Sequence, residues 1–322
     1  YRQILGFGEY GFPEAHAASF ALLVYVSAWL KCHQPAAFTC ALLNSQPMGF
    51  YAPAQLIQDV RRHGVQVKPI DVTVSDWEST LEQGDEALAL RLGLHLINGF
   101  SQTGAVRLLN ARAVRAFGDL QDFAQRTRLN KTDLQALAAA NAFMALVRSH
   151  RKMAYWEVAG ISTPTPILNR TYFNEGTPMI PKATPVDDAH ADYASIGLTL
   201  GPHPLALIRP SLCELGLSTR EELYRQSHGE TAKVAGLVIA RQRPASANNV
   251  TFVTLEDETG SINLVVWKKI AEQYASILLG APVISASGKI QREGDTLHLV
   301  ISQLIDLSYL LDSLTTQSRN FC

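Results

Sequence analysis

Two stretches bring a tight turn, outward-facing amides and cations to one place, a combination suited to holding a phosphate. The first is LHLINGFSQTGAVRLLNAR, Leu94–Arg112, in which an apolar helix end meets Asn98-Gly99 and a new helix carries Ala105, Leu108 and Leu109. Gly99 permits a sharp turn and a close approach of backbone to ligand. The first amides of the next helix have no intrahelical acceptor and sit at the positive end of its dipole. Asn98, Gly99, Phe100, Ser101, Gln102 and Thr103 are therefore the candidate cradle, with Arg107 and Arg112 on the helix that follows. The second stretch, RLNKTDLQALAAANAF (Arg128–Phe143), reads as a weaker copy with Asn130-Lys131 at its hairpin; Arg126, Arg128, Asn130 and Lys131 are its candidate contacts. The competing reading is a pair of packed helical hairpins without a ligand.

Charge favours the ligand. The 322-residue chain has a net charge of only −1, which argues against a uniformly basic nucleic-acid binder. The charge is unevenly spread. Residues 71–90 hold six acids and no Lys or Arg, a pattern read as a solvated boundary. Residues 91–152 hold ten Lys or Arg and three acids, a local balance of 10 − 3 = +7 that coincides with the two hairpins. Phosphate backbones are bound by such local clusters.

A third set lies near the C-terminus. From Thr231 the pattern changes to strands: KVAGLVIARQR, NVTFVTLED, SINLVVW, then an amphipathic helix KKIAEQYASILL, then APVISASGKIQ and DTLHLVISQLIDL. Five strands with a helix between the third and fourth make an OB-fold, a small Greek-key barrel. Glu256–Gly260 is the expected turn between its second and third strands. Arg241, Arg243, Asn248, Asn249, Phe252, Trp267 and Lys289 are candidates to line a groove, since aromatics and cations serve a sequence-tolerant single-strand site. Phe252 and Trp267 read equally well as core.

The elements upstream are helical. Pro13 and Glu14 suit a helix start, and EYGFPEAHAASFALLVYVSAWLKCHQP is apolar nearly all round, which predicts a buried helix ending at Pro35. Its apolar run is too short to span a bilayer. Helices follow from about Pro35 to Ser45 and from Pro53 to His63, and VQVKPIDV reads as a short strand and a bend. Residues 162–210 carry most of the prolines and are expected to be an irregular linker or wrap. Cys32, Cys40, Cys213 and Cys322 show no Cys-x-x-Cys spacing, which leaves no structural zinc site and favours a reducing cytosol. No Ser/His/Asp motif, P-loop or metal-ligand cluster is visible, so no catalytic residue and no metal is assigned in this chain. The fold class is thus multidomain, α then β.

The order of these parts resembles the C-terminal part of bacterial C-family DNA polymerases, the family of the polymerase III alpha subunit. The stretches YGFPEAHAASFA and WLKCHQPAAF resemble the end of that family's fingers domain; AHAASFALL and NSQPMGFYAPAQLIQDVRRHGV are similar to its error-prone, damage-inducible branch, and FVTLEDETGSINLVV fits its OB segment. The resemblance implies a fingers remnant over 1–75, a tandem helix-hairpin-helix domain over 76–160, an irregular linker over 161–227, an OB-fold over 228–310 and a tail over 311–322. It implies that Glu14, His16 and Lys31 lie near the incoming nucleotide and template. It also implies that the palm, with its carboxylates and Mg2+ ions, precedes Tyr1, so that this chain alone binds DNA and does not polymerise.

The resemblance further suggests partners: primer-template and single-stranded template DNA, a catalytically inactive Y-family-like polymerase homologue and a RecA-like accessory protein, with no membrane and a cytoplasmic location. No clamp-binding peptide is found in Ala154–Pro210, and QSRNF, Gln317–Phe321, matches only the ends of one, so access to the sliding clamp is expected to be indirect. The alternative function is a protein-interaction module that docks the polymerase onto that partner and the clamp.

Overall fold

A computed structural model describes residues 13–48, 51–85, 87–161, 179–244, 250–294, 296–311 and 319–321, the side chains of 13–16 and 319–321 excepted. The chain forms two compact units, one of residues 1–70 with 75–94, the other of 71–74 with 95–322.

In the first unit, helices α1 (Pro13–His33), α2 (Pro35–Asn44) and α3 (Pro53–Arg62) precede strands β1 (Val67–Lys68), β2 (Thr80–Gln83) and β3 (Leu88–Arg91). Proline opens all three helices, where its missing N–H is one of the donors that would go unpaired anyway. The sheet order is β1-β3-β2, with β1 parallel and β2 antiparallel to β3. Leu43, Ile57, Val60, Leu90 and Leu92 are buried. Asn44 ties helix to sheet: its side chain donates to Ser79 O at 2.9 Å and accepts from Ser79 N at 2.8 Å.

Two expectations change here. The acidic run is not simply a solvated boundary, since part of it is strand β2, whose Glu82 binds Arg91 (2.8 Å) and Lys68 (2.6 Å). These hydrogen bonds hold the Glu82 carboxyl below its ordinary range. Strand β3 pairs with both β1 and β2, which joins the three in one sheet, and the first unit runs to Leu94. Helix α1 is not buried: Leu22, Leu23, Val24 and Tyr25 are all exposed. A helix apolar on every side needs cover on every side, and among the described residues its packing partner is α2.

After a 3-10 turn at Leu94–Leu96, the second unit holds α4 (Gln102–Val114), α5 (Leu120–Thr127), α6 (Lys131–Ala139), α7 (Met144–Val147) and α8 (Arg151–Gly160). Phe123 is the hub of their core, edge-on to Phe117 at 4.8 Å and to Phe143 at 5.1 Å.

The segment expected to be an irregular linker carries four helices in its described part from 179 onward, α9 (Pro185–Ile196), α10 (Pro204–Leu207), α11 (Arg209–Glu214) and α12 (Arg220–Tyr224), joined by short non-helical stretches. Its prolines start helices instead of breaking them: Pro185, Pro204 and Pro210 occupy first-turn positions. Thr184 and Thr219 form capping boxes with Asp187 and Glu222. Tyr193, Leu205, Leu212 and Leu217 share a core with Ala235, Leu237 and Val283 of the barrel, so the segment packs onto it.

That barrel comprises β4 (Thr231–Gln242), β5 (Thr251–Asp257), β6 (Gly260–Val266), helices α13 (Lys268–Gln273) and α14 (Ala275–Gly280), β7 (Val283–Glu293) and β8 (Thr296–Asp306). The order β5-β6-β8-β7-β4 closes through a β4–β5 pairing, and β6 runs parallel to β8. Alternation sends Val253, Leu255, Ile262, Leu264 and Val266 inward. The expected five strands and intervening helix are therefore all present. A short strand β9 (Arg319–Phe321) pairs in parallel with the end of β4.

Candidate nucleic-acid interface

The two hairpins have the same local geometry. In the first, Gly99 is left-handed (φ +77°), Phe100 is buried and Ser101 caps α4, accepting from Gly104 N at 3.0 Å. In the second, Arg128 is left-handed (φ +50°), Leu129 is buried and Asn130 caps α6, accepting from Asp133 N at 2.7 Å. Each tip is thus a left-handed residue, an apolar anchor and a cap. Only glycine adopts the left-handed region at no cost, so the arginine in the second copy is held there by its surroundings. Arg107 Nη1 donates to Arg128 O at 3.2 Å, linking α4 to the second tip.

Asp133 joins the copies and was missed by the sequence reading. It is 4% exposed, and it accepts from Ser101 N and Ser101 Oγ, both at 3.0 Å. Gly104 stands opposite, where an added Cβ would lie 2.9 Å from Asp133 Oδ2. The pattern Asn130-x-x-Asp133, matched by Ser101-x-x-Gly104, was the available signal. Asn98 is exposed but tied to the fold: its N–H donates to Ser195 O at 2.7 Å and its amide to Ala194 O at 3.0 Å, anchoring the first tip to α9. Gln102 and Thr103 are exposed at the start of α4.

The structure sorts the basic residues. Arg151 is buried and bonded to Asp192, and Lys152 lies 3.7 Å from Asp187. Arg115 pairs with Asp122 at 2.6 Å. Arg126, a candidate phosphate contact, is a structural residue: it lies over the Phe117 ring at 4.7 Å, pairs with Asp122 at 3.1 Å, and donates to Ala111 O, Arg115 O and Ala116 O. A guanidinium whose donors are directed inward cannot also grip a phosphate. Burial acts to raise the Asp122 carboxyl, but the Gly118 N–H and the Arg126 and Arg115 guanidiniums hold it below its ordinary range. Arg107, Arg128 and Lys131 remain exposed with no carboxylate partner among the described residues, and all three belong to the second tip or to the helix beside it.

On the barrel, neighbouring residues on β5, β6, β8 and β7 align Phe252, Val265, Val300 and Lys289 in one outward row spanning about 14 Å. Thr254, Asn263, His298 and Gln291 form the next row. Trp267 is 54% exposed, at the end of β6, and Phe252 is only partly buried, so neither is core. Arg243 is exposed. Arg241 is a correction: it is 9% exposed and its guanidinium caps α14 by donating to Leu278 O and to Ala281 O (2.7 Å). Its place in β4 points it into the barrel end. The turn after β5 is also committed, because Asp257 accepts from Gly260 N and Thr259 while Glu258 pairs with Arg209 at 2.5 Å. Asn248 and Asn249 lie outside the described residues.

The fingers candidates Glu14 and His16 have side chains outside the described residues. Lys31 is half-exposed and pairs with Asp59 at 3.0 Å. Among the described residues no group of three or more His, Cys, Asp or Glu is arranged to hold a metal ion. No described helix is long and apolar enough to cross a membrane.

Comparison with known proteins agrees with this geometry. Residues 64–153 match the helix-hairpin-helix motif family, and residues 232–307 match the OB-fold nucleic acid binding domain. The whole chain is 52% identical to 32% of the error-prone DNA polymerase of Methylococcus capsulatus. It is 53% identical to 31% of that of Alkalilimnicola ehrlichii, and 47% identical to 32% of that of Pseudomonas syringae pv. tomato. The chain spans about a third of the length of these relatives. Along its entire length, then, the chain is similar to part of the error-prone DNA polymerases, with a helix-hairpin-helix match followed by an OB-fold match.

Proposed function

We propose that this chain is the DNA-engaging portion of an error-prone DNA polymerase used in translesion synthesis and damage-induced mutagenesis. The hairpins hold phosphates of duplex DNA, and the outward face of the barrel meets the single-stranded template. The repeated tip geometry, with Arg107, Arg128 and Lys131 gathered at the second tip, carries the reading. Nucleotidyl transfer belongs to the complete polymerase, where Mg2+ supplies the charge stabilisation for the transferred phosphoryl group. The described residues offer no donor set for that ion.

The barrel supports a second reading. Burial of Arg241 removes one cation from its candidate groove, and the acidic turn is folded against Arg209. A face with Phe252, Val265 and Trp267 and few cations also suits a protein partner, which in this proposal is the inactive Y-family-like homologue, with the clamp reached indirectly.

Fluorescence anisotropy of the chain with a primer-template, a plain duplex and a single strand, across a salt series, separates the two. Preference for the primer-template with a steep salt dependence supports DNA engagement. Binding that is absent at low salt assigns the function to partner docking. Trp267→Ala is expected to weaken the single strand by about 1 kcal/mol or more if the barrel stacks bases.

A further inference from the structure

Helix α8 has a stripe that neither hairpin nor barrel accounts for. Lys152, Tyr155, Trp156 and Ala159, at spacing i, i+3, i+4 and i+7, are all exposed, while Arg151, Ala154 and Val158 make the buried face. Solvent-facing stripes are normally polar. This one has two aromatics: Tyr155 is 42% and Trp156 51% exposed. It forms one wall of an open cleft of about 430 Å³ that Gln135 of α6 and Ile180 also line.

The position of Gln135 gives the cleft its meaning. It lies four residues beyond Lys131, so both occupy one face of α6, and both are exposed. The separation along the helix is about 6 Å, within the length of one nucleotide. A strand whose phosphate rests on the second tip therefore has its next base beside the cleft. A flat π-face needs an aromatic wall, and a base edge needs an amide or an ammonium. Trp156 with Tyr155 provides the first, and Gln135 with Lys152 the second. Lys152 Nζ lies 3.7 Å from Asp187 Oδ2, so this ion pair occupies one direction of an ammonium that has three donors.

We propose that the cleft between α6 and α8 receives an unpaired base of a DNA strand whose backbone is held at the second hairpin, with Trp156 as its stacking platform. The proposal rests on the hairpin reading above and deepens it. The hairpin would then distinguish a frayed or single-stranded end from a continuous duplex. A peptide side chain is the other occupant that an aromatic cleft could take; continuity with the cationic tip favours the base.

The test is anisotropy of this chain at one salt concentration on a blunt duplex, the same duplex with a short single-stranded tail, and the tailed duplex with the tail bases removed. The tail is expected to tighten binding roughly fivefold to a hundredfold, and the abasic tail to give no gain. Trp156→Ala should abolish the gain and leave blunt-duplex affinity unchanged. Trp156→Phe should keep most of it, which assigns the gain to an aromatic face at the cleft. The proposal is overturned if the tail gives no gain, if the gain survives Trp156→Ala, or if the abasic tail matches the intact one. Equal weakening of blunt and tailed duplexes by Trp156→Ala also overturns it, since the ring would then act without a base. Failure of the hairpin reading has a different signature: the blunt duplex does not bind. The isolated tail oligonucleotide then decides the cleft, because its affinity must fall with Trp156→Ala for the proposal to stand.

Discussion

Asp133 and Ser101 are 32 residues apart and share two hydrogen bonds of 3.0 Å, one from the Ser101 N–H and one from its hydroxyl. The third residue of one hairpin's helix thereby holds the cap of the other. Ser101 also accepts from Gly104 N at 3.0 Å, so one hydroxyl serves both its own helix and the neighbouring copy. The two hairpin tips are fixed relative to each other by a buried carboxylate. Asp133→Ala leaves two partly buried donors without this acceptor and is expected to cost about 2 kcal/mol. Urea unfolding of the variant measures it; a change within error would show that solvent replaces the carboxylate.

Arg128 and Gly99 make a complementary pair of tests. Arg128→Gly removes a charge and relieves a left-handed non-glycine residue, so stability should stay within about 1 kcal/mol of wild type, on the stabilising side. Duplex affinity should fall severalfold at the same time. Gly99→Val introduces strain at φ +77° and should weaken duplex binding while the barrel stays folded. Thermal unfolding alongside anisotropy reads both quantities, and unchanged affinity in both variants would remove the hairpins from the interface.

Arg126 and Lys131 should separate cleanly. Arg126→Ala deletes the ring contact with Phe117 and the bonds to Asp122, Arg115 O and Ala116 O, so it should destabilise by about 2 kcal/mol with the salt dependence of binding unaltered. Lys131→Ala should leave stability near wild type and reduce the slope of log affinity against log salt by about 0.9. The reverse pattern would mean that Arg126 leaves Phe117 to meet the DNA.

Glu82 couples the first unit to pH. Its folded carboxyl lies below the ordinary value of 4.5 because Arg91 and Lys68 donate to it. A depressed carboxyl contributes stability above its unfolded value, and that contribution is lost as pH falls through the folded value. Acid should therefore weaken the first unit progressively below about pH 4.5. Glu82→Gln should be less stable at neutral pH and show a flatter profile on acidification. Unfolding curves from pH 7 to 3 provide the comparison, with identical slopes ruling out the coupling.

The secondary structure of the barrel was legible because burial alternates with a period of two along β5 and β6, and local sequence carries that period. The hairpins were legible for a similar reason: Gly99 at a tip and Ser101 or Asn130 at a cap are local choices of backbone. Prolines misled, because a proline that breaks a helix and one that starts a helix look alike until the residues after it are seen to pack, as at Pro185 and Pro204. The exposure of Trp156 was not legible in sequence, because an aromatic on a helix is ordinarily core and only the fold leaves this one in solvent.

Sequence alone determined the order of modules, the location of the two tips and the +7 excess around them. Which of those cations are available was decided only in three dimensions. Arg151 meets Asp192 across 41 residues, Arg126 folds back onto Phe117, and Arg241 of β4 reaches the end of α14. A charge count is additive along the chain, but a cation's availability depends on the carboxylates, carbonyls and rings that folding brings to it. Among the described residues, Arg107, Arg128 and Lys131 stay exposed without a carboxylate partner, and Arg107 meets a backbone carbonyl, Arg128 O.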